Sequence, residues 1–241
     1  MERLLSDLAI GGREPVVTLE DWVYRVKRGH GGEPVRRWFL CALQREWLED
    51  DPPTGLCADV ADHVEGYLQR RSGPWANLWG HIRRVTGYAL HIGETIGADS
   101  ETVYLTAILH DVRKLDERDY GAGHEEAGAV YARRLLAGEV PGDQLDTIVQ
   151  AIRIHPDRPP LGWRVACALH DADKLDKVGA AGVLRRASVG EDMEEACEGA
   201  WRMLDDVETL PALCFRVSER LLQPKLVFAR TVEIILNESC P

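Results

Sequence analysis

Apolar residues recur at helical spacing along most of the chain, whereas the alternating pattern of a half-buried strand is scarce. The longest apolar stripe starts at Leu78 and repeats at alternating spacings of four and three residues, which predicts a helix with one buried face. Its further members are Ile82, Val85, Ala89, Ile92 and Ile96. Gly97 ends this helix, and Asp99-Ser100-Glu101 begins the next one, which runs into His110. This succession of helices predicts an all-α fold.

Further helices follow from the same spacing and from capping and breaking residues. They are predicted to begin at Thr18, and to span about Glu33–Leu48, Leu56–Arg70, His124–Leu136, Asp143–Ile154 and Trp163–Arg186. One or two more are predicted after Glu191, with breaks at Pro211 and Pro224. We expect residues 1–75 to form an N-terminal helical extension or lid and residues 76–188 to form the core. Residues 189–241 are expected to pack on the core or on a partner, such as a second copy of the chain.

Composition narrows the class of partner. The chain has 241 residues, of which 45% are hydrophobic and 29% are charged, values that are typical of a soluble globular protein. We expect a cytoplasmic protein, because no apolar run approaches the roughly 20 residues of a membrane span and no signal peptide is recognisable. The net charge of −11 argues against an extensive nucleic-acid surface but not against a small anionic substrate. The six cysteines are scattered without a CxxC motif, so neither a disulfide framework nor a thiolate zinc site is expected.

Polar residues that are costly to bury interrupt the apolar helices at several points. His110 and Asp111 follow an apolar run directly, and this pair could simply meet solvent at a helix end or could bind a metal. A single histidine beside an apolar stripe is more often a hydrogen-bonded core residue than a ligand. Six candidates nevertheless occur within one segment, and packed helices could bring them together. They are His81, His110, Asp111, His124, His155 and Asp173.

The motifs that contain these candidates resemble the HD superfamily of metal-dependent phosphohydrolases, and in particular small bacterial members with GHEE and DADRLD elements. Four segments carry the resemblance, which covers about residues 76–186. They are Gly80-His81-Ile82-Arg83-Arg84-Val85, Leu109-His110-Asp111-Val112-Arg113-Lys114, Gly123-His124-Glu125-Glu126-Ala127-Gly128 and Asp171-Ala172-Asp173-Lys174-Leu175-Asp176. The resemblance implies an HD-domain helical bundle.

The resemblance also implies a ligand set. His81, His110, Asp111 and Asp173 would bind the first metal, and Asp173 is preferred to Asp171 because the ligand of the family precedes a leucine by two positions. Asp171 is then expected to support a ligand histidine. His124 and His155 match positions that bind a second metal in some members, and that contact phosphate or relay protons in others.

The implied activity is hydrolysis of a phosphate ester or anhydride in a small phosphorylated substrate, such as a nucleotide. One or two ions of Mn²⁺, Fe²⁺, Co²⁺ or Mg²⁺ suit the ligands, and metal-activated water would be the nucleophile. Glu125 or His124 would assist proton transfer. Lys114, Arg113 and Lys174 would neutralise phosphate charge, although Arg113 stands where the family has a glycine and could instead meet solvent.

Two alternatives belong to other functional classes. Some HD proteins with this ligand order hold two irons and are oxygenases, and the spacing between Asp111 and His124 does not exclude such a site. A non-catalytic HD module that senses nucleotides is the third hypothesis. Metal analysis separates the first alternative from hydrolysis, and ligand binding without turnover would identify the second.

Overall fold

The computed structural model describes residues 53–71, 75–116, 123–187, 198–199, 201–202 and 212–239. The helices predicted before residue 50 and the predicted break at Pro211 lie outside these ranges. Within them, every extended regular element is a helix, so the all-α class is confirmed. The helices are α1 (Leu56–Gln69), α2 (Trp75–Ile96), α3 (Ser100–Leu109), α4 (His124–Leu136), α5 (Gly142–Ile154), α6 (Arg164–Asp176), α7 (Ala180–Ala187) and α8 (Arg216–Ser239), with a 3₁₀ turn at Lys114–Asp116.

Local sequence explains the sharp boundary between α2 and α3. Gly97 has a φ of 65°, a left-handed conformation that glycine adopts without steric cost, and it ends α2. Asp99 is the N-cap of α3, and its side chain accepts hydrogen bonds from the backbone N–H of Thr102 at 2.8 Å and from the Thr102 hydroxyl at 2.6 Å. The direction of α3 is thereby fixed at its start.

α3 is the central helix of the described structure, and most of its residues are buried. On one side its residues join an apolar core with α1, α4 and α5, and on the other they join a core with α2, α6 and α8. The fully buried Leu105, Leu109 and Ile152 belong to the first core, and Val85, Ile92 and Leu175 belong to the second. Because α3 ends between the two cores, the residues that follow it, His110 and Asp111, lie in the protein interior.

Two helix boundaries differ from the sequence-based prediction. The helix predicted over Trp163–Arg186 is divided, since α6 ends at Asp176 and Gly179 has a φ of 89° before α7 begins. Conversely, α8 continues through Pro224, which was predicted to break it. Proline removes one intrahelical hydrogen bond, but buried residues on both sides of it, among them Val217 and Phe228, hold the helix against the core.

The last helix of the expected N-terminal extension is part of the first core, to which it contributes the buried residues Val60, Val64 and Leu68. The domain boundaries near residues 75 and 188 stay predictions. Among the described helices, none is both long and apolar enough to cross a membrane.

Candidate metal centre

The carboxylate of Asp111 lies immediately after the C-terminal end of α3 and faces four imidazoles. From Oδ2, the Nε2 atoms of His81 and His110 are 3.3 Å and 3.6 Å away. From Oδ1, the Nε2 atoms of His124 and His155 are 3.3 Å and 3.8 Å away. Asp111 and His110 are fully buried, and the other three imidazoles come from α2, α4 and the end of α5. Each oxygen of one carboxylate therefore lies between two ring nitrogens.

These side chains form two groups that could each hold a metal ion. His81, His110 and Asp111 make one group, and Asp111, His124 and His155 make the other, with ligand atoms within 4.8 Å of one another in each. Asp173 lies beside the first group, with its Oδ1 3.5 Å from Nε2 of His81. The fold thus brings together all six residues that the sequence indicated as ligands.

His110 and His155 are oriented by the same local device. Each is the C-cap of its helix, α3 or α5, and its Nδ1–H donates to the carbonyl three residues earlier, Ala107 or Ile152, at 2.7 Å in both cases. Carbonyls in the last turn of a helix have few intrahelical partners, and these side-chain bonds add an acceptor role to two of them. With the proton on Nδ1, the lone pair on Nε2 is directed at Asp111 and is available for a metal.

The Nε2 atom of His110 is the sharpest sign of a metal ligand. It is buried and has no hydrogen-bond partner among the described residues. Burial lowers the pKa of His110 to about 3, so the ring is neutral at physiological pH. A buried acceptor without a partner is costly, and a divalent cation would satisfy it. The residues present therefore fit a metal.

His81 is held through Nδ1, on the edge of the ring that faces away from Asp111. Its Nδ1–H donates to Oδ2 of Asp176 at 2.6 Å, while Arg84 donates to the two oxygens of the same carboxylate at 2.6 Å and 3.1 Å. Asp176 is fully buried; burial raises its pKa, but the hydrogen bonds from His81 and Arg84 outweigh this and hold the pKa well below the usual range. Burial disfavours protonation of His81, yet the hydrogen bonds to Asp111 and Asp176 raise its pKa overall.

Cations surround the carboxylates of the site. Lys114 donates to Oδ2 of Asp111 at 2.6 Å, and Oδ2 of Asp173 accepts from Lys174 at 3.1 Å and lies 3.0 Å from Nζ of Lys177. Burial raises the pKa of both aspartates. The neighbouring imidazoles and lysines outweigh that effect, so both pKa values are lowered and both groups are ionised. Lys114 and Lys177 keep 41% and 35% of their side chains exposed, which leaves them reachable from solvent.

His124 forms the most accessible edge of the four imidazoles. It is the first residue of α4, and 18% of its side chain is exposed. Its Nδ1 lies 3.2 Å from Oε2 of Glu125, while its Nε2 faces Asp111. The hydrogen bond to Asp111 is the largest influence on the pKa of His124, which is raised.

Arg113 forms contacts with residues of the protein other than the four imidazoles. Its Nε lies 2.9 Å from Oδ2 of Asp116, and its guanidinium lies 5.6 Å and 5.4 Å from the ring centres of Tyr67 and Tyr131. Tyr67 also donates to Asp116, which is almost completely buried. We therefore leave Arg113 out of the site that contacts phosphate.

Asp171 does not support a ligand histidine in the way that the sequence suggested. Its carboxylate accepts the backbone N–H of Cys214, at 2.8 Å and 3.1 Å, and that of Phe215 at 3.1 Å. It therefore anchors the segment that leads into α8. The support of a histidine is supplied by Asp176, which lies on α6 one turn beyond Asp173.

Sequence reasoning gave no role to Arg84, Asp176, Lys177 or His170. The first three could have been found from helical spacing, since Arg84 follows His81 by three residues, and Asp176 and Lys177 follow Asp173 by three and four. His170 is fully buried, and its Nδ1–H donates to the backbone carbonyl of His155 at 3.2 Å. That contact joins α6 to the end of α5, and no local pattern indicates it.

Comparison with known proteins identifies the family that the central part of the chain matches. The family model for the HD domain matches residues 78–178, a range that contains all six proposed ligands, and it confirms the resemblance seen in the sequence. A search of curated proteins found no match.

Solved structures share the fold. A predicted HD superfamily hydrolase from an uncultured Thermotogales bacterium is 24% identical, with a TM-score of 0.57 over 75% of this chain and 91% of the other. An HD-superfamily hydrolase from Bacillus thuringiensis is 20% identical, with a TM-score of 0.55 over 76% and 93%. Bacillus subtilis YpgQ in complex with ADP is also 20% identical, with a TM-score of 0.51 over 75% and 98%. At these identities the likeness shows the fold alone.

Proposed function

We propose that this chain, whose residues 78–178 are an HD domain, is a metal-dependent phosphohydrolase that cleaves a phosphate ester or anhydride of a nucleotide. The observation that carries the proposal is the position of Asp111, whose two oxygens face two separate pairs of imidazoles. A purely structural core has no use for four imidazoles around one carboxylate. A divalent metal gives that arrangement a physical reason.

The ligands divide into two sets around Asp111. His81, His110, Asp111 and Asp173 would hold the first ion, and Asp111, His124 and His155 would hold a second. Imidazole combined with carboxylate suits Mn²⁺, Fe²⁺, Co²⁺ or Mg²⁺, and no thiolate is required. When bound, such a metal supplies Lewis acidity towards a phosphoryl oxygen and lowers the pKa of coordinated water towards neutrality.

The residues of the chain position the substrate and its protons. Lys114 and Lys177 project partly exposed ammonium groups on the Asp111 and Asp173 sides of the site, where they would bind phosphate oxygens. Lys174 is buried, and its contact with Asp173 holds that carboxylate in place. If only the first ion is bound, Glu125 would hold the Nδ1 side of His124, so that Nε2 can accept a proton on the side of the site.

The nucleotide part of the proposal has separate support. Lys114 and Lys177 place two partly exposed ammonium groups at the site of a protein whose net charge is −11, and these groups would attract an anionic ligand locally. YpgQ, which shares the fold, was solved in complex with ADP. A phosphorylated nucleotide is thus the first class of substrate to test.

The experiment is a hydrolysis screen of nucleotides and phosphomonoesters with Mn²⁺, Mg²⁺, Co²⁺ and Fe²⁺ varied in parallel. We expect activity with at least one metal, and we expect Asp111→Ala to abolish both metal content and hydrolysis. Asp146→Ala is the matched control, because that carboxylate is 69% exposed and pairs with Arg133 on the surface. Retained hydrolysis in Asp111→Ala would contradict the proposal.

A di-iron oxygenase remains the second candidate because Asp111 is shared between two possible ion sites. Metal analysis of the purified protein distinguishes the two functions. Two irons per chain with mixed-valence absorption, together with no phosphoester turnover, would replace hydrolysis by oxygenation.

A further inference from the structure

The carboxylate of Asp176 lies behind His81, on the side of the ring away from the other carboxylates. Nδ1 of His81 is 2.6 Å from Oδ2 of Asp176, whereas Nε2 is 3.3 Å from Oδ2 of Asp111 and 3.5 Å from Oδ1 of Asp173. Two carboxylates on one side and one on the other therefore compete for the protons of a single buried imidazole. Only one outcome of that competition leaves Nε2 able to bind a metal.

We infer that Asp176 and Arg84 form a positioning pair that keeps the proton of neutral His81 on Nδ1 and so makes Nε2 a metal ligand. The inference rests on the proposed metal site and assigns residues that support it. Without Asp176, the neutral ring would place its proton on Nε2 and donate to Asp111 or Asp173. That tautomer has no lone pair on Nε2 for a metal.

Arg84 has a defined part in this arrangement. Its Nε and Nη2 bind the two oxygens of Asp176 at 2.6 Å and 3.1 Å, a two-pronged contact that fixes the plane of the carboxylate. His81 and Arg84 are three residues apart on α2, and Asp173 and Asp176 are three residues apart on α6, so both pairs lie where the two helices pack. Asp176 is thereby aimed at His81 from a rigid helix.

Replacing Asp176 with asparagine tests the inference because it changes the charge and one hydrogen-bonding group at nearly constant shape. Arg84 offers only donors, so the amide oxygen of Asn would turn to Arg84 and its NH₂ would face His81. Because an NH₂ group is a donor, it hydrogen-bonds only to a Nδ1 that has a lone pair. The neutral ring of His81 would therefore carry its proton on Nε2. We expect the Kd for Mn²⁺ to rise about 10- to 100-fold, the range found when partners of ligand histidines are removed.

A double variant separates positioning from simple damage to the core. In D176N/R84M the donors that orient the amide are gone, so its oxygen can turn to His81 and accept the Nδ1 proton again. We therefore expect the double variant to bind Mn²⁺ more tightly than D176N alone. The matched control is Asp116→Asn, a buried carboxylate that pairs with Arg113 and contacts no ring of the metal centre, and it should keep the wild-type Kd.

The measurements are Mn²⁺ titration calorimetry on the full chain and ¹⁵N NMR of the histidine rings in metal-free protein, with thermal unfolding as a check on folding. The expected spectra show the neutral His81 proton on Nδ1 in the wild type and the double variant, and on Nε2 in D176N. The inference is overturned if folded D176N keeps its Nδ1 proton and its wild-type Kd, or if the double variant binds no better than D176N. Failure of the proposed function is distinguishable, because the ring spectra do not depend on hydrolysis or on bound metal.

Discussion

Gly128 lies in α4 one helical turn after His124, and its position shows how closely α4 approaches the backbone at the end of α3. A Cβ atom placed on Gly128 would lie 3.0 Å from the carbonyl oxygen of His110 and 3.4 Å from Cγ2 of Ile152. Ordinary contacts of this kind are 3.4 Å or longer, and a backbone carbonyl at a helix end cannot swing aside. Gly128→Ala must therefore push α4 outward by a few tenths of an ångström.

The expected change in the free energy of unfolding of Gly128→Ala is the sum of two opposing effects. Alanine in place of glycine inside a helix gains about 1 kcal/mol of intrinsic helix propensity. Overpacking a well-filled interior costs about 1–3 kcal/mol, so the free energy of unfolding should change by between about zero and a loss of 2 kcal/mol. The same movement separates Nε2 of His124 from Oδ1 of Asp111, which are 3.3 Å apart. The rate of hydrolysis should therefore fall even if the free energy of unfolding changes little.

Gly66→Ala is the matched control for this substitution. Gly66 lies inside α1, and its added Cβ would meet only the far end of the flexible Arg70 side chain, at 3.3 Å. It should gain about 1 kcal/mol from helix propensity alone. Urea unfolding at equal m-values measures both variants. If Gly128→Ala stabilises the protein as much as Gly66→Ala does, the close approach of α4 to His110 is refuted.

Three further predictions concern single side chains. Asp99→Ala should lower the free energy of unfolding by about 1 kcal/mol through loss of the α3 N-cap. Hydrogen bonds from Thr102 lower the pKa of Asp99, so this loss of stability should be present above about pH 4, the ordinary aspartate value, and should vanish as pH falls through the lowered pKa. Urea titrations at several pH values measure it. Asp171→Ala should destabilise the fold by about 1–3 kcal/mol, because the backbone N–H groups of Cys214 and Phe215 lose their acceptor. Hydrogen exchange before α8 should become faster, and the Mn²⁺ affinity should not change. Weaker Mn²⁺ binding would instead indicate that Asp171 supports a ligand histidine. Lys177→Met should raise KM for a phosphorylated substrate about 10-fold while kcat changes less, and an unchanged KM in steady-state kinetics would remove Lys177 from the phosphate site.

Helix positions were predictable because the information is local. The apolar stripe from Leu78 and the stop at Gly97 define α2 without any tertiary contact, and the N-cap at Asp99 defines the start of α3. The ends of α6 and α8 were not predictable in this way. Whether Gly179 adopts a left-handed φ or continues a helix, and whether Pro224 breaks α8 or is tolerated, depends on what the neighbouring residues pack against.

The sequence by itself determined which residues could bind a metal, since imidazoles and carboxylates beside apolar stripes are costly unless they have partners. It also determined that His110 and Asp111 stand at the end of a buried helix. Only the tertiary structure decided which oxygen of Asp111 faces which ring, that Asp176 and not Asp171 holds a histidine, and that Arg113 pairs with Asp116. These choices depend on how packed helices are rotated about their axes and on the angles at which they cross, and a few tens of degrees change every partner across an interface. Local periodicity places a side chain on a face, and only packing places another side chain opposite it.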